Sequence, residues 1–289
     1  MQTQPNICLV GEEVEAKNQS VEDITNYIAD IVAKRAEKGL NFGVCLVPEG
    51  LIEFIPSLKV LIAEINDLLA KTEAQFNALE TSADKISFVE QRLSTSSKSV
   101  FDSLPVEIKA QLLADRDPHG NVQVSKIETE KLLIQTVGAR LAQMKKEGKY
   151  NGKFNSQNHF FGYEGRCAFP SNFDSDYCYS LGYNAFFLVN ANLTGYLSSV
   201  TNLEKPADQW QAGGIPITMM MNMEQRHGEK KPVIKKALVE LDGKPFKYFE
   251  SNREQWALET CFTFPGAIQY FGPSEVCDQT TMTLALEKN

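Results

Sequence analysis

Apolar residues over the first fifty positions recur with the periods of a strand, a helix and a second strand. Residues 6–10 form a short apolar run that predicts a buried strand. Ser20 and Asp23 resemble a capping box, which opens a helix that ends near Gly39. Its apolar residues keep helical spacing: Val21, Ile24, Ile28, Ile31 and Val32. Residues 42–47 predict a second strand, buried on both faces, so the pattern indicates a strand–helix–strand unit of an α/β sheet.

The pattern then changes to that of helices. Apolar spacing predicts a long amphipathic helix from Ser57 to about Leu79. Residues 83–150 are more polar but keep helical periods, and Ser125 with Glu128 resembles a second capping box, opening a helix that ends at Gly148. We interpret this region as a helical insertion in the α/β sheet.

The last third of the chain mixes helical and extended patterns. A dense apolar pattern over residues 174–199 predicts a buried helix. Residues 213–221 are expected to form a turn that runs into a strand, with the methionines Met219, Met220 and Met221 in the core.

Composition and charge narrow the class of protein. The chain has 289 residues, of which 43% are hydrophobic and 23% are charged, as in a globular protein with a sizeable core. The formal net charge of -8 and the lack of a long basic cluster argue against a nucleic-acid surface. An anionic ligand must therefore be held locally. No apolar run is long enough to span a membrane, and no targeting segment is recognisable, so we expect no membrane partner.

The six cysteines are scattered and contain no C-x-x-C pair. This spacing favours buried, reduced thiols in a cytoplasmic protein over a zinc site or a disulfide framework.

Residues 162–166, Gly-Tyr-Glu-Gly-Arg, carry the most informative chemistry, and we call them the clamp. Two glycines let the backbone approach a ligand closely. The planar guanidinium of Arg166 matches a phosphate, and the Glu164 carboxylate can accept hydrogen bonds from sugar hydroxyls. The clamp therefore predicts a sugar-phosphate site. A tight turn with a surface Arg–Glu pair is the alternative.

Glu49 follows the second predicted strand. Ligands of open α/β sheets bind outside the carboxyl ends of the strands, where this carboxylate could bind a sugar hydroxyl. The alternative is an acid at a helix N-terminus, favoured by the helix dipole. The chain has no Walker loop, no G-x-G-x-x-G, no H-E-x-x-H and no G-x-S-x-G.

The clamp with its flanks and residues 47–56, 213–216 and 267–273 together resemble the long-type pyrophosphate-dependent phosphofructokinases. The resemblance runs over essentially the whole chain, with the motifs in the same order and at the same distances. It implies a Rossmann-like, α/β phosphofructokinase fold, incomplete and carrying the helical insertion. The implied divisions are an α/β substrate-binding part over residues 1–82, the helical insertion over 83–150, and the substrate-binding part continued over 151–289.

The resemblance also implies a reaction. In that family a phosphoryl group passes reversibly from pyrophosphate to the 1-hydroxyl of fructose 6-phosphate, with Mg²⁺. Glu49 would be a ligand of the sugar hydroxyls. Tyr163, Glu164, Gly165 and Arg166 would form the fructose 6-phosphate loop, with Arg166 on the 6-phosphate.

Three motifs of the family are absent from this chain: Gly-Gly-Asp, Thr-Ile-Asp-Gly-Asp and Met-Gly-Arg. In the family they precede the strand with which this chain opens, so we expect the C-terminal half of such an enzyme, with no catalytic residue and no Mg²⁺ ligand of its own. Phosphoryl transfer depends on positioning and charge neutralisation, and a chain without these motifs should be inactive alone. Pyrophosphate would be bound by the missing N-terminal half.

Three further expectations follow. The chain could instead be a non-catalytic fructose 6-phosphate-binding or regulatory subunit, or a relative of the ATP-dependent enzymes. The full-length enzyme is expected to form homo-oligomers. A half that normally packs against a partner domain should expose apolar surface.

Overall fold

A computed structural model of the chain describes residues 5–114, 116, 121–162, 171–226, 229–234, 236–260, 273 and 280–288. The chain divides into two compact units. The larger unit comprises residues 3–159 and 252–262, and the smaller unit comprises residues 160–251 and 263–289, together with residues 1–2. The structure mixes helices with small sheets, so the predicted α/β class is confirmed. The predicted boundaries after residues 82 and 150 stay predictions.

The larger unit opens with the predicted strand–helix–strand unit. Strands β1 (Ile7–Cys8) and β2 (Cys45–Leu46) pair in parallel, with Ile7 opposite Cys45. Helices α1 (Gly11–Ala16) and α2 (Val21–Glu37) lie between them in sequence. The predicted capping box of Ser20 and Asp23 is present in full, and Gly39 follows α2 with a φ of 76°.

The second strand is shorter than predicted. Phe42 precedes it and is 60% exposed, so the prediction of a strand over residues 42–47 that is buried on both faces is wrong. The reason is that the Nε of Arg35 donates a hydrogen bond to the Phe42 carbonyl oxygen at 3.1 Å, and its guanidinium lies 5.4 Å from the centre of the Phe42 ring. This backbone therefore bonds to a side chain of α2.

Five helices follow in the larger unit: α3 (Pro56–Asn77), α4 (Ser82–Glu90), α5 (Thr95–Ser103), α6 (Val106–Leu112) and α7 (Thr129–Lys146). Helix α3 confirms the long amphipathic helix. The hydroxyl of Thr25 on α2 donates to that of Thr136 on α7 at 2.9 Å. These helices share one hydrophobic core with β1 and α2, whose fully buried members include Ile24, Leu51, Leu61, Ile65, Val89, Phe101, Leu112 and Val137.

The predicted capping box of Ser125 and Glu128 does not form. Helix α7 begins at Thr129, and Ser125 lies in a short 3₁₀-helix, Val124–Lys126. The Glu128 carboxylate instead pairs with the Lys131 ammonium at 2.6 Å and accepts a hydrogen bond from the Gln111 amide at 2.7 Å. These two partners occupy the carboxylate that the capping box would need.

The smaller unit contains helix α8 (Asn172–Asn190), strands β3 (Tyr196–Thr201) and β4 (Gln211–Pro216), and the hairpin of β5 (Met221–Arg226) and β6 (Glu229–Ile234). Both strand pairs are antiparallel. The prediction of a buried helix over residues 174–199 is wrong in two respects. The helix ends at Asn190, after which Asn192 and Gly195 adopt positive φ and turn the chain into β3. Much of its apolar surface is also exposed.

The turn predicted within residues 213–221 lies later in the sequence than expected. Gly213 and Gly214 lie inside β4, the 3₁₀-helix Ile217–Met220 follows it, and β5 begins at Met221. A Cβ on Gly214 would lie 2.8 Å from a methyl carbon of Leu188, so the glycine permits the close packing of α8 on this strand. Met219 is 74% exposed, and the prediction that the methionines belong to the core is wrong.

Helix α9 (Lys244–Leu258) begins in the smaller unit and ends in the larger one, and α10 (Met282–Lys288) belongs to the smaller unit. In the larger unit, two side chains donate hydrogen bonds to backbone carbonyl oxygens at the end of α9. The carbonyl oxygen of Ala257 accepts a hydrogen bond from Arg35 Nη1 at 3.0 Å, and that of Trp256 accepts one from Asn6 at 3.4 Å. Ala257 is fully buried.

Candidate functional site

Glu49 lies in a turn directly after β2. The strand ends at Leu46, and residues 47–50 lead from its carboxyl end into the 3₁₀-helix Leu51–Phe54. The Glu49 side chain is exposed. Since β2 pairs in parallel with β1, this carboxylate occupies the strand end at which the ligands of α/β sheets bind. The position predicted for Glu49 from the sequence is therefore the one that the structure gives.

The turn is anchored on both sides. Gly50 adopts a φ of 77°, a conformation that glycine takes without steric cost, and the Leu51 amide donates to the Pro48 carbonyl oxygen at 3.2 Å. Leu51 and Ile52 are fully buried. A short exposed turn is thus fixed between a paired strand and a buried 3₁₀-helix, which restricts where the Glu49 carboxylate can point.

A helix dipole does not explain the position of Glu49. The first α-helix after it is α3, which begins at Pro56, and the dipole effect falls off within the first turn of a helix. The acidic residue in the first turn of the intervening 3₁₀-helix is Glu53. The alternative of a helix N-terminal acid therefore loses its main support.

Cys45 lies in β2 near the turn. Burial, with a smaller contribution from the nearby Cys8 thiol, raises the pKa of Cys45 to about 12. This thiol stays protonated at neutral pH and is not a nucleophile. The three described cysteines, Cys8, Cys45 and Cys178, are free, but Cys8 and Cys178 are exposed, so the prediction of buried thiols is wrong for these two.

Of the clamp, residues 162–166, the structure describes only Gly162. Tyr163, Glu164, Gly165 and Arg166 lie outside the described residues, and Glu49 is the one predicted site residue that the structure describes. At the N-terminal edge, Gly162 has a φ of 55°, a conformation that favours glycine both in a tight turn and in a loop that approaches a ligand. On the C-terminal side, Ser171 and Asp174 form a complete capping box at the start of α8. The helix that follows the clamp in sequence therefore has a complete N-terminal cap.

An aromatic cluster lies at this end of α8, and the sequence analysis missed it. The ring centres of Phe173 and Trp210 are 5.5 Å apart, and those of Tyr177 and Trp210 are 6.3 Å apart, both edge to face. The indole Nε1 of Trp210 donates to the Lys205 carbonyl oxygen at 2.8 Å. Phe173 and Tyr177 are one helical turn apart, which the sequence shows, but nothing local indicates that Trp210 joins them.

A second group that the sequence analysis missed is a buried ion pair in the larger unit. The Glu13 carboxylate on α1 contacts Arg253 Nη1 and Lys17 Nζ, each at 2.6 Å. Burial by itself would raise the pKa of Glu13, but the hydrogen bonds from Arg253 and Lys17 outweigh it and hold the pKa below its ordinary value. The pair joins residues 240 positions apart, so no local pattern could reveal it.

Comparison with known proteins shows the family. No protein-family model matches the chain. The chain is 56% identical over 288 residues to the pyrophosphate--fructose 6-phosphate 1-phosphotransferase of Treponema pallidum and 55% identical over 289 residues to that of Entamoeba histolytica, in each case over 100% of the chain. It is 52% identical over 287 residues, 99% of the chain, to the protein of that name from Solanum tuberosum, subunit beta.

The chain belongs to this family. The resemblance to the pyrophosphate-dependent phosphofructokinases is thereby confirmed over the whole chain. The chain spans about half the length of the curated relatives that it matches: 50% of the Treponema protein, 52% of the Entamoeba protein and 48% of the Solanum subunit.

The resemblance to the family implies that the reaction uses Mg²⁺, which would need a group of metal-binding side chains. Among them, no group of three or more His, Cys, Asp or Glu side chains is placed to hold a metal ion. The described residues do not fit a Mg²⁺ site. In the same part of the chain, no helix is both long and apolar enough to cross a membrane.

Proposed function

We propose that this chain is the part of a pyrophosphate-dependent phosphofructokinase that binds the acceptor sugar, fructose 6-phosphate. The complete enzyme would transfer a phosphoryl group from pyrophosphate to the 1-hydroxyl of that sugar and give fructose 1,6-bisphosphate, a step of glycolysis. The observation that carries the proposal is 56% identity to the Treponema enzyme over all of this chain but only 50% of that protein.

The proposed sugar ligands come from two motifs. Arg166 binds the 6-phosphate, because its guanidinium can form two parallel, charge-assisted hydrogen bonds to phosphate oxygens. Glu49 accepts hydrogen bonds from sugar hydroxyls, and its exposed, anchored position after β2 supports this role. Tyr163, Glu164 and Gly165 complete the loop, with Gly165 letting the backbone approach the sugar.

The chain by itself is proposed to bind the sugar without phosphorylating it. The three family motifs named above are absent from its sequence, and the described residues do not fit a site for Mg²⁺, which the complete enzyme would use. Binding the sugar alone accelerates phosphoryl transfer little, because other groups must position the donor and neutralise its charge. The donor site and the catalytic groups would belong to the N-terminal half of the family's enzymes.

Pyrophosphate is favoured over ATP as the donor, because these relatives are named for pyrophosphate. For the same reason a purely regulatory subunit is not favoured. We further propose that the complete enzyme is a cytoplasmic homo-oligomer. The free cysteines support a reducing compartment, and the naming of the Solanum relative as a subunit supports an oligomer, while identical subunits are what the family resemblance implies.

A coupled assay of fructose 1,6-bisphosphate formation tests the absence of turnover. The purified chain, supplied with fructose 6-phosphate, Mg²⁺ and either pyrophosphate or ATP, is expected to form no product above the blank. The full-length Treponema enzyme is the positive control, active with pyrophosphate. Turnover by the isolated chain would show that it carries its own catalytic groups, and turnover with ATP alone would also overturn the donor assignment.

A further inference from the structure

Helix α8 is apolar on two opposite sides, and the described residues cover only one of them. On the covered side, Asn184 is buried, and the side chain of Leu188 lies against β4. On the other side, four apolar residues follow one another at helical spacing: Tyr179, Tyr183, Phe186 and Val189. We call these four residues the outer stripe of α8. They are 66%, 55%, 63% and 75% exposed.

A helix with this composition is normally buried all round. Three aromatic side chains would each bury roughly 150–250 Å² when covered, so the outer stripe is an unusually costly surface to leave in water. Its members also order one another: the Tyr179 and Tyr183 rings are 4.7 Å apart, and the Tyr179 hydroxyl donates to that of Tyr183 at 3.0 Å. The stripe is therefore a formed surface on a long helix.

The sheet beneath α8 points to the occupant. Among the described residues, β3 and β4 pair only with each other, and a two-stranded sheet is at best marginally stable alone. Domains are built from two or three packed layers, so one helix on a two-stranded sheet needs further secondary structure to complete its core. The relatives have about twice the length of this chain, so each contains a segment of similar size that this chain does not represent.

We propose that the outer stripe of α8 packs against that other half of the full-length enzyme and lies in the core of a domain to which both halves contribute. The inference rests on the proposed function only for the claim that the two halves belong together. Its tests measure accessibility and stability, so the absence of turnover would not affect them. A second copy of this chain and the chain's own larger unit are the competing occupants.

The test compares the isolated chain with a full-length chimera, in which this sequence replaces the matching half of the Treponema relative. The reporter is the free thiol of Cys178, which lies on the exposed side of α8 and is read peptide by peptide by mass spectrometry after alkylation. We expect Cys178 to react at the rate of an accessible thiol in the isolated chain and at least ~100-fold more slowly in the chimera. Equal rates in the two proteins, or protection already in the isolated monomer, would overturn the proposal.

A pair of substitutions provides the control. Phe186→Asp is expected to lower the melting temperature of the chimera strongly and to leave that of the isolated chain nearly unchanged. Val60→Asp alters a similarly exposed apolar residue, 59% exposed on α3, and is expected to have a small effect in both proteins. If Phe186→Asp affects both proteins equally, the other half does not cover the stripe. If the isolated chain forms a dimer that Phe186→Asp dissociates, a second copy is the occupant and the proposal is wrong.

Discussion

At the scale of single residues, the most consequential contact in the larger unit is the ion pair of Glu13. It joins α1 to the end of α9 through Arg253, and both side chains are largely buried. Replacing the carboxylate weakens its charge-assisted hydrogen bonds to both Arg253 and Lys17, which contribute more than an exposed ion pair does. The Glu13 carboxylate is therefore expected to hold the end of α9 on the larger unit.

Glu13→Gln is expected to lower the free energy of unfolding by about 2 kcal/mol at pH 7, measured by urea denaturation. The pKa of Glu13 is lower in the folded chain than in the unfolded one, so its stabilising effect is full above the unfolded value of about 4.3 and is lost as the pH falls through the folded value. The difference between the two proteins should shrink accordingly in acid. Glu15 lies on α1 like Glu13, but its pair with Lys59 of α3 is exposed, so Glu15→Gln should cost about 0.5 kcal/mol or less. Equal effects of the two substitutions would contradict the account.

Gly50 is the second residue with a specific consequence, because it shapes the turn that carries Glu49. Gly50→Ala and Gly39→Ala place the same methyl group at nearly the same positive φ, 77° and 76°, without a close clash. Each is expected to cost about 1 kcal/mol of stability. Only Gly50→Ala should also weaken binding of fructose 6-phosphate, measured by calorimetry, since Gly39 precedes β2 and the turn with Glu49 follows it. Matching affinities for the two variants would argue against Glu49 as a sugar ligand.

At the scale of elements, the side-chain amide of Asn184 joins α8 to both strands of its sheet. The Asn184 side chain donates to Ser198 Oγ at 2.9 Å and to the Gly213 carbonyl oxygen at 2.6 Å, and thus contacts both β3 and β4. Asn184 is buried, and Ser198 Oγ in turn donates to the Leu181 carbonyl oxygen of α8 at 2.8 Å. Removing the amide would take a hydrogen-bond donor away from both strands.

Asn184→Ala is therefore expected to destabilise the smaller unit by about 2 kcal/mol. Hydrogen exchange should become faster in α8, β3 and β4 and stay unchanged in α2 and α7 of the larger unit. Asn190→Ala, at the exposed end of the same helix, serves as the control and should leave exchange nearly unchanged. Uniform acceleration over the whole chain would show that the amide does not act locally.

The elements also show what the sequence can predict. Local signals were sufficient for α2, whose capping box and closing glycine are adjacent in sequence to the helix, and for the position of Glu49 after β2. They failed where the deciding partner is distant in sequence. The Gln111 amide donates a hydrogen bond to the Glu128 carboxylate that the capping box would need, and Arg35 bonds to the backbone of Phe42 outside the second strand. The end of α8 depended on positive φ at Asn192, which apolar spacing cannot show.

At the scale of the whole molecule, identity to the relatives is high but extends over only part of each relative. The chain is 56% identical to the Treponema protein and 55% identical to the Entamoeba protein, yet it spans only 50% and 52% of their lengths. The exposed outer stripe of α8 and the two-stranded sheets agree with the expectation of uncovered apolar surface. Hydrophobic burial in the smaller unit is thus incomplete, and we expect it to unfold at lower denaturant concentration than the larger unit.

The central claim is that this chain binds fructose 6-phosphate through Arg166, and calorimetric titration of the folded chain tests it most directly. We expect saturable binding that Arg166→Ala weakens roughly 10- to 100-fold, the loss of a charge-assisted contact to phosphate. Arg92→Ala removes the same charge beside Phe88 on the larger unit and should leave the affinity unchanged. Equal affinity of Arg166→Ala and the parent chain, or no binding by a chain shown to be folded, would contradict the account.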